Sequence, residues 1–152
     1  MGLKRVDYEI IAHLRNNARK PVPLISKELG VPCSTIYEKI KKQYKRVFKK
    51  HTALLNFHEL GYHSTVHFAI SCKNGTREEL RKFLMEHPNI NTLHRVNFGW
   101  DFIAEAVFHT LGEAEDFKQL LVDRFNPTRI ESFNVVEELK RESFLTNPNH
   151  IQ

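Results

Sequence analysis

Cysteine, glycine and long apolar runs are all scarce in this chain, and each scarcity removes a class of protein. Cys33 and Cys72 are the only cysteines, too few for a disulfide framework or a zinc finger, and they read as reduced, half-buried thiols. The six glycines form no phosphate-cradling loop, and "GVPCST" lacks the Gly-Lys pair of a P-loop. No apolar run approaches the ~18 to 20 residues of a membrane span. The start, MGLKRVDYEI, lacks the apolar centre of a signal peptide, so a cytoplasmic protein without a membrane partner is expected. Nine histidines are present, but no HxH, HExxH or Cys/His cluster, so no metal and no cofactor are expected.

What is present is a core and an uneven charge. Among 152 residues, 41% are hydrophobic and 11 are Phe, enough to bury a real interior in one domain or two small ones. Through Ala53 there are 13 Lys and Arg against 4 acidic residues; from Leu54 onward there are 10 against 14. That asymmetry implies an N-terminal module for a polyanion and a C-terminal module for something else. Double-stranded DNA is the leading polyanion. A membrane surface competes, but the basic stretch lacks the wide apolar face of an interfacial helix.

The segment "LKRVDYEIIAHLRNN" places Leu3, Val6, Ile10, Ile11 and Leu14 at helical spacing. "VPLISKELG" is a short second helix with Pro23 in its first turn and Gly30 as its terminator. "VPCSTIYEKIKKQYK" follows almost without a loop, Ile36 and Ile40 inward. This is the outline of a helix-turn-helix. "RVFKKHTALLN" alternates apolar and basic residues as the hairpin of a wing would. From Thr65 the period changes. "TVHFAISCK", "NINTLHRVNF", "WDFIAEAVFH" and "RIESFNVVEELK" read as strands; "TREELRKFLMEH", with a Thr76 cap and Glu79 three residues on, and "GEAEDFKQLLVDRF" read as helices. The expected fold is α+β: an N-terminal winged helix-turn-helix over 1–53, a linker over 54–63, a ferredoxin-like βαββαβ domain over 64–143, and a tail over 144–152 that is disordered at its end. Ile103, Ala104, Ala106, Val107 and Phe108 are apolar on both sides of one strand, so a second copy of the chain is expected to cover the sheet.

At the level of whole segments the chain resembles the Lrp/AsnC, or feast/famine, family of transcription regulators. The likeness is carried by "VDYEIIAHLRNNAR", "LISKELGVPCSTIYEKIKK", "HTALLNFHELGY" and the βαββαβ remainder, nearly the whole chain. It implies a DNA-binding winged helix-turn-helix joined to a domain that pairs into dimers and often octamers. It also implies an amino-acid effector bound between subunits, near the turn joining the domain's second and third strands. There the family's Gly-x-x-Asp falls on Phe98, Gly99, Trp100 and Asp101, with Phe98 in the glycine's place. Pro21 and Pro32 replace the usual Ser caps, and "QYKR" is a shorter, more basic entry to the wing. Some relatives recruit RNA polymerase or basal transcription factors; others repress by occlusion. Sirohaem decarboxylases share the fold, and His94 or His109 would be the catalytic histidines of that alternative.

Candidate residues follow. Lys39, Lys41, Lys42, Lys45, Arg46, Lys49 and Lys50 are candidates for phosphates, whose neutralisation supplies most non-specific affinity. Ser34, Thr35, Tyr37 and Glu38 lie where a recognition helix meets base edges. Glu38 either accepts from a cytosine amino group or pairs with Lys41 or Lys42. Trp100 and Asp101 either edge an effector pocket or form a buried aromatic beside a turn carboxylate.

Overall fold

The computed structural model describes residues 2–150; Ile151 and Gln152, the end of the expected tail, lie outside the described residues, as does Met1. The chain divides into two compact units. One holds the residues up to Leu54 together with those from Leu139 on; the other is Leu55–Glu138.

In the first unit, α1 (Arg5–Asn16) buries Ile10 and Ile11. α2 (Val22–Leu29) stops at Gly30, whose φ of 66° is left-handed, and Val31 N–H closes the turn on Ser26 O at 3.2 Å. α3 (Cys33–Glu38) packs Ile36 against Ile10, Ile11, Val22 and Ile25. The regular helix expected to run on to Lys45 is shorter. After Glu38 it widens into a π-type turn over Lys39–Gln43 and then tightens into a 3-10 turn, Tyr44–Arg46. That change of pitch brings Tyr44 fully into the core.

The wing hairpin expected over "RVFKKHTALLN" is not formed among the described residues: no strand is paired between Val47 and Asn56. The segment contains no Gly to make a tight hairpin turn. Phe48 instead packs edge-on against the Tyr44 ring, centroids 5.8 Å apart. The described residues from Leu139 on belong to the helical unit. Arg15 pairs with Glu142, its Nε donates to Phe144 O at 3.3 Å, and a 3-10 turn at Pro148–His150 packs on α1.

In the second unit, β1 (Ser64–Ser71), α4 (Arg77–Glu86), β2 (Ile90–Arg95), β3 (Phe102–Phe108), α5 (Leu111–Phe125) and β4 (Arg129–Asn134) give the ferredoxin-like order. The antiparallel sheet runs β2-β3-β1-β4. Register partners share a face, so Val66, Phe68 and Ile70 align with Ala106, Ala104 and Phe102. These meet Leu80 and Leu84 of α4 and Phe117, Leu121 and Phe125 of α5 in one core. The other face carries Thr65, His67, Ala69, Ile103, Glu105, Val107, Glu131 and Phe133, with His67 and Glu105 3.6 Å apart. Thr76 precedes α4 but makes no side-chain cap; its hydroxyl turns back to Lys73 O at 3.3 Å. Thr110 does cap α5, accepting from Glu113 N–H at 3.2 Å.

Candidate nucleic-acid interface

The outer side of α3 and the turns after it form one basic surface. Ser34, Tyr37 and Glu38 are exposed, and Thr35 is half-buried. Beyond them Lys41, Lys42, Lys45, Arg46, Lys49 and Lys50 are all exposed. Among the described residues no acidic side chain pairs with Lys41, Lys45, Arg46, Lys49 or Lys50. Glu38 accepts from Lys42 Nζ at 2.7 Å, the i,i+4 alternative of its two readings, and that hydrogen bond holds its carboxyl below the usual range.

Lys39, among the residues expected to meet phosphate, is paired with an acid in the helical unit. Its ammonium lies 2.6 Å from Asp7 Oδ1 and is largely buried. Asp7, 3% exposed, also accepts from Lys4 N–H at 2.7 Å and from Tyr44 Oη at 3.0 Å. Burial pushes the Asp7 carboxyl up, but Lys39, the Lys4 amide and Tyr44 outweigh it and hold the group below its ordinary range. Burial, with the Asp7 carboxylate beside it, drives the Tyr44 hydroxyl upward, so it stays a donor. The network ties the segment that follows α3 to α1.

This network is absent from the expectations above, although one signal for it is legible. Asp7 stands three, four and seven residues before Ile10, Ile11 and Leu14, on the apolar stripe of α1. An acid at a core position demands a buried partner.

In the turn expected to hold an effector, Asp101 and Trp100 are anchored by residues from neighbouring elements of the second unit. Asp101 receives Cys72 N–H at 2.8 Å and the Arg77 guanidinium at 2.8 Å, while its own N–H donates to Ile70 O at 2.8 Å. Its carboxylate therefore ties the β2–β3 turn to the end of β1 and the start of α4. The Arg129 guanidinium lies over the Trp100 ring, 4.4 Å from its centroid. Phe98 and Gly99 make the turn itself, with φ of 57° and 88°, and Phe98 is 95% exposed.

His94 and His109 are not brought together. His94 sits opposite Ile103 near the start of β3, whereas His109 follows its last residue, about 20 Å along the strand at ~3.4 Å per residue. His109 Nδ1 is 3.0 Å from Gly61 O, and its ring stacks on Tyr62 at 4.1 Å. The enzyme alternative has no support in this arrangement. Among the described residues no group of three or more His, Cys, Asp or Glu side chains is placed to hold a metal ion, and no helix is long and apolar enough to cross a membrane.

No family model matches the chain. Curated relatives do. The HTH-type transcriptional regulator FL11 of Pyrococcus abyssi is 30% identical over 106 residues, 69% of this chain and 70% of the relative. FL11 of Pyrococcus horikoshii is 29% identical over 120 residues, 78% of this chain and 80% of the relative. Among solved structures, LrpC of Bacillus subtilis matches with a TM-score of 0.82 over 92% of this chain and 99% of its own, at 18% identity. A transcriptional regulator of Neisseria meningitidis, in complex with L-Met, matches with a TM-score of 0.84 over 92% and 94%, at 17% identity. At those identities the structures establish the shared fold. With the FL11 relatives, the helix-turn-helix and the ferredoxin-like unit, they identify this chain as a member of the Lrp/AsnC family of transcription regulators.

Proposed function

We propose that the protein is a sequence-specific DNA-binding transcription regulator that acts as a homodimer or higher oligomer. The observation that carries this reading is the row Lys41, Lys45, Arg46, Lys49 and Lys50, exposed and without acidic partners among the described residues, beside the exposed start of α3. In this role Ser34, Thr35 and Tyr37 read base edges and the row holds phosphates. Glu38 steadies Lys42 and reaches a base only if that pair opens. The unpaired segment from Val47 follows the backbone as a basic arm. Paired recognition helices place half-sites about one helical turn, ~10 bp, apart or at a multiple of it.

A second copy suits the sheet face that carries Ala69, Ile103, Val107 and Phe133, apolar positions framed by the His67–Glu105 and Arg129–Glu131 pairs. The protein works without catalysis, in the cytoplasm. It represses by occlusion or activates by recruiting RNA polymerase or basal factors, according to where its operator lies. Selection of bound duplexes from a random DNA pool at physiological salt tests the reading. An enriched inverted repeat is the expected result; binding that is salt-sensitive but blind to sequence, or no binding, would overturn it.

A further inference from the structure

We propose that His13, Lys20 and Glu28 form a proton-sensitive latch between α1 and α2, closed when the His13 ring is neutral and weakened by its protonation in mild acid. Three segments of the helical unit meet there: α1 brings His13, the connection after it brings Lys20, and α2 brings Glu28. The Lys20 ammonium lies 3.2 Å from His13 Nδ1 and 2.7 Å from Glu28 Oε2. His13 Nε2 lies 3.6 Å from the same Glu28 oxygen. The connection is itself held in place, since Lys20 N–H donates to Asn17 O at 3.0 Å and Arg19 N–H to Asn17 Oδ1 at 2.9 Å.

This geometry assigns the His13 tautomer. An ammonium has three donors and no acceptor, so the ring nitrogen facing it has to accept. Nδ1 is therefore bare, and Nε2 carries the hydrogen on the side of Glu28. A second proton would go to Nδ1 and turn its N–H against a cation 3.2 Å away. A hydrogen bond between α1 and the connection would give way to repulsion between two like charges.

Among the described residues the charges acting on the ring are Lys20, Glu28 and, one turn earlier on α1, Glu9. The two carboxylates favour a charged ring, but each already has a cation: Glu28 has Lys20, and Glu9 has Arg5 Nε at 3.1 Å. The His13 side chain is 15% exposed, whereas that of Glu28 is 49% exposed and screened by solvent. Burial and the Lys20 ammonium prevail, and they hold the ring's pKa below its ordinary value. The unfolded chain therefore takes up this proton first, near pH ~6.5. The latch's contribution to stability is full above that value and is lost as pH falls from there through the folded pKa. Asp7, whose carboxyl is held below its ordinary range, responds only in stronger acid, so the two effects fall in separate windows.

The test uses the full chain without DNA: nitrogen NMR of the His13 ring, and thermal unfolding between about pH 7.5 and about pH 5.5. Nδ1 is expected to be unprotonated at neutral pH, and the ring to titrate with a midpoint below ~6.5. The unfolding temperature of the parent is expected to fall with pH more steeply than that of His13→Asn, whose side-chain oxygen keeps an acceptor near Nδ1 but takes no proton. Lys20→Gln removes the cation and is expected to raise the His13 midpoint, a readout that stands even where His13→Asn fails to fold. An Nδ1–H tautomer, a midpoint at or above ~6.5, a midpoint unmoved in Lys20→Gln, or parallel pH profiles of the parent and His13→Asn would each overturn the proposal.

Discussion

Asp7 and Lys39 meet at 2.6 Å inside the helical unit, and the pair divides the basic run into one lysine that builds the fold and several that face outward. Removing one member of a buried pair leaves the other charged and unmatched, at a cost of about 3–5 kcal/mol. Asp7→Ala is therefore expected to destabilise the helical unit by that order, measured by denaturant unfolding.

The same pair gives an acid-sensitive stability. The folded-state pKa of Asp7 is depressed, so its contribution is fully present above the unfolded value near ~3.9 and is lost as pH falls through the folded value. The difference in unfolding midpoint between the parent and Asp7→Asn is expected to be constant above about pH 5 and to close in stronger acid. A gap independent of pH down to the acid transition would contradict the assignment.

Lys41 and Lys39 are expected to behave differently when truncated. Lys41→Ala should lower affinity for all duplexes alike and reduce the slope of log K against log salt by about 0.9, one phosphate contact. Lys39→Ala should chiefly lower stability. Tyr37→Ala should instead change the ranking of DNA sites, because Tyr37 stands at the exposed start of α3. Titrations at several salt concentrations separate the three outcomes.

Asp101→Ala is expected to cost about 1–3 kcal/mol, since the Cys72 amide and the Arg77 guanidinium lose their shared acceptor. Thermal unfolding of the purified protein measures it. Were Asp101 chiefly a ligand group, the variant would keep its stability.

Glu142→Ala should alter global stability by less than about 1 kcal/mol, because both partners of the Arg15–Glu142 pair are partly exposed. Faster hydrogen exchange is nonetheless expected over 140–150, where that pair helps hold the segment to α1.

The legible part of the structure was the part written in periodicity. Leu80 and Leu84, or Phe117 and Leu121, recur at helical spacing, and Val66, Phe68 and Ile70 alternate, so the two layers of the second unit follow from the chain alone. The start of α3 was equally clear from Gly30 and Pro32. Its end was not, because the shift in pitch after Glu38 is set by tertiary burial of Tyr44 against Asp7, residues 37 positions apart. For the same reason a count of positive residues could not separate Lys39 from Lys41. Asp101 was readable as important but ambiguous in role, since its partners Cys72 and Arg77 come from elsewhere in the chain. The return of Glu142 to Arg15 has no periodic signature at all.

That return makes the ferredoxin-like unit an insertion within the helical one. The Arg15–Glu142 contact spans 127 positions, a costly closure for an open chain. Within the inserted unit the chain comes back beside its own first strand, where Val135 N–H donates to Thr65 O at 2.9 Å. A helical fragment cut at Leu54 would lack its brace on α1, whereas one joining residue 54 to residue 139 through a short linker would keep it.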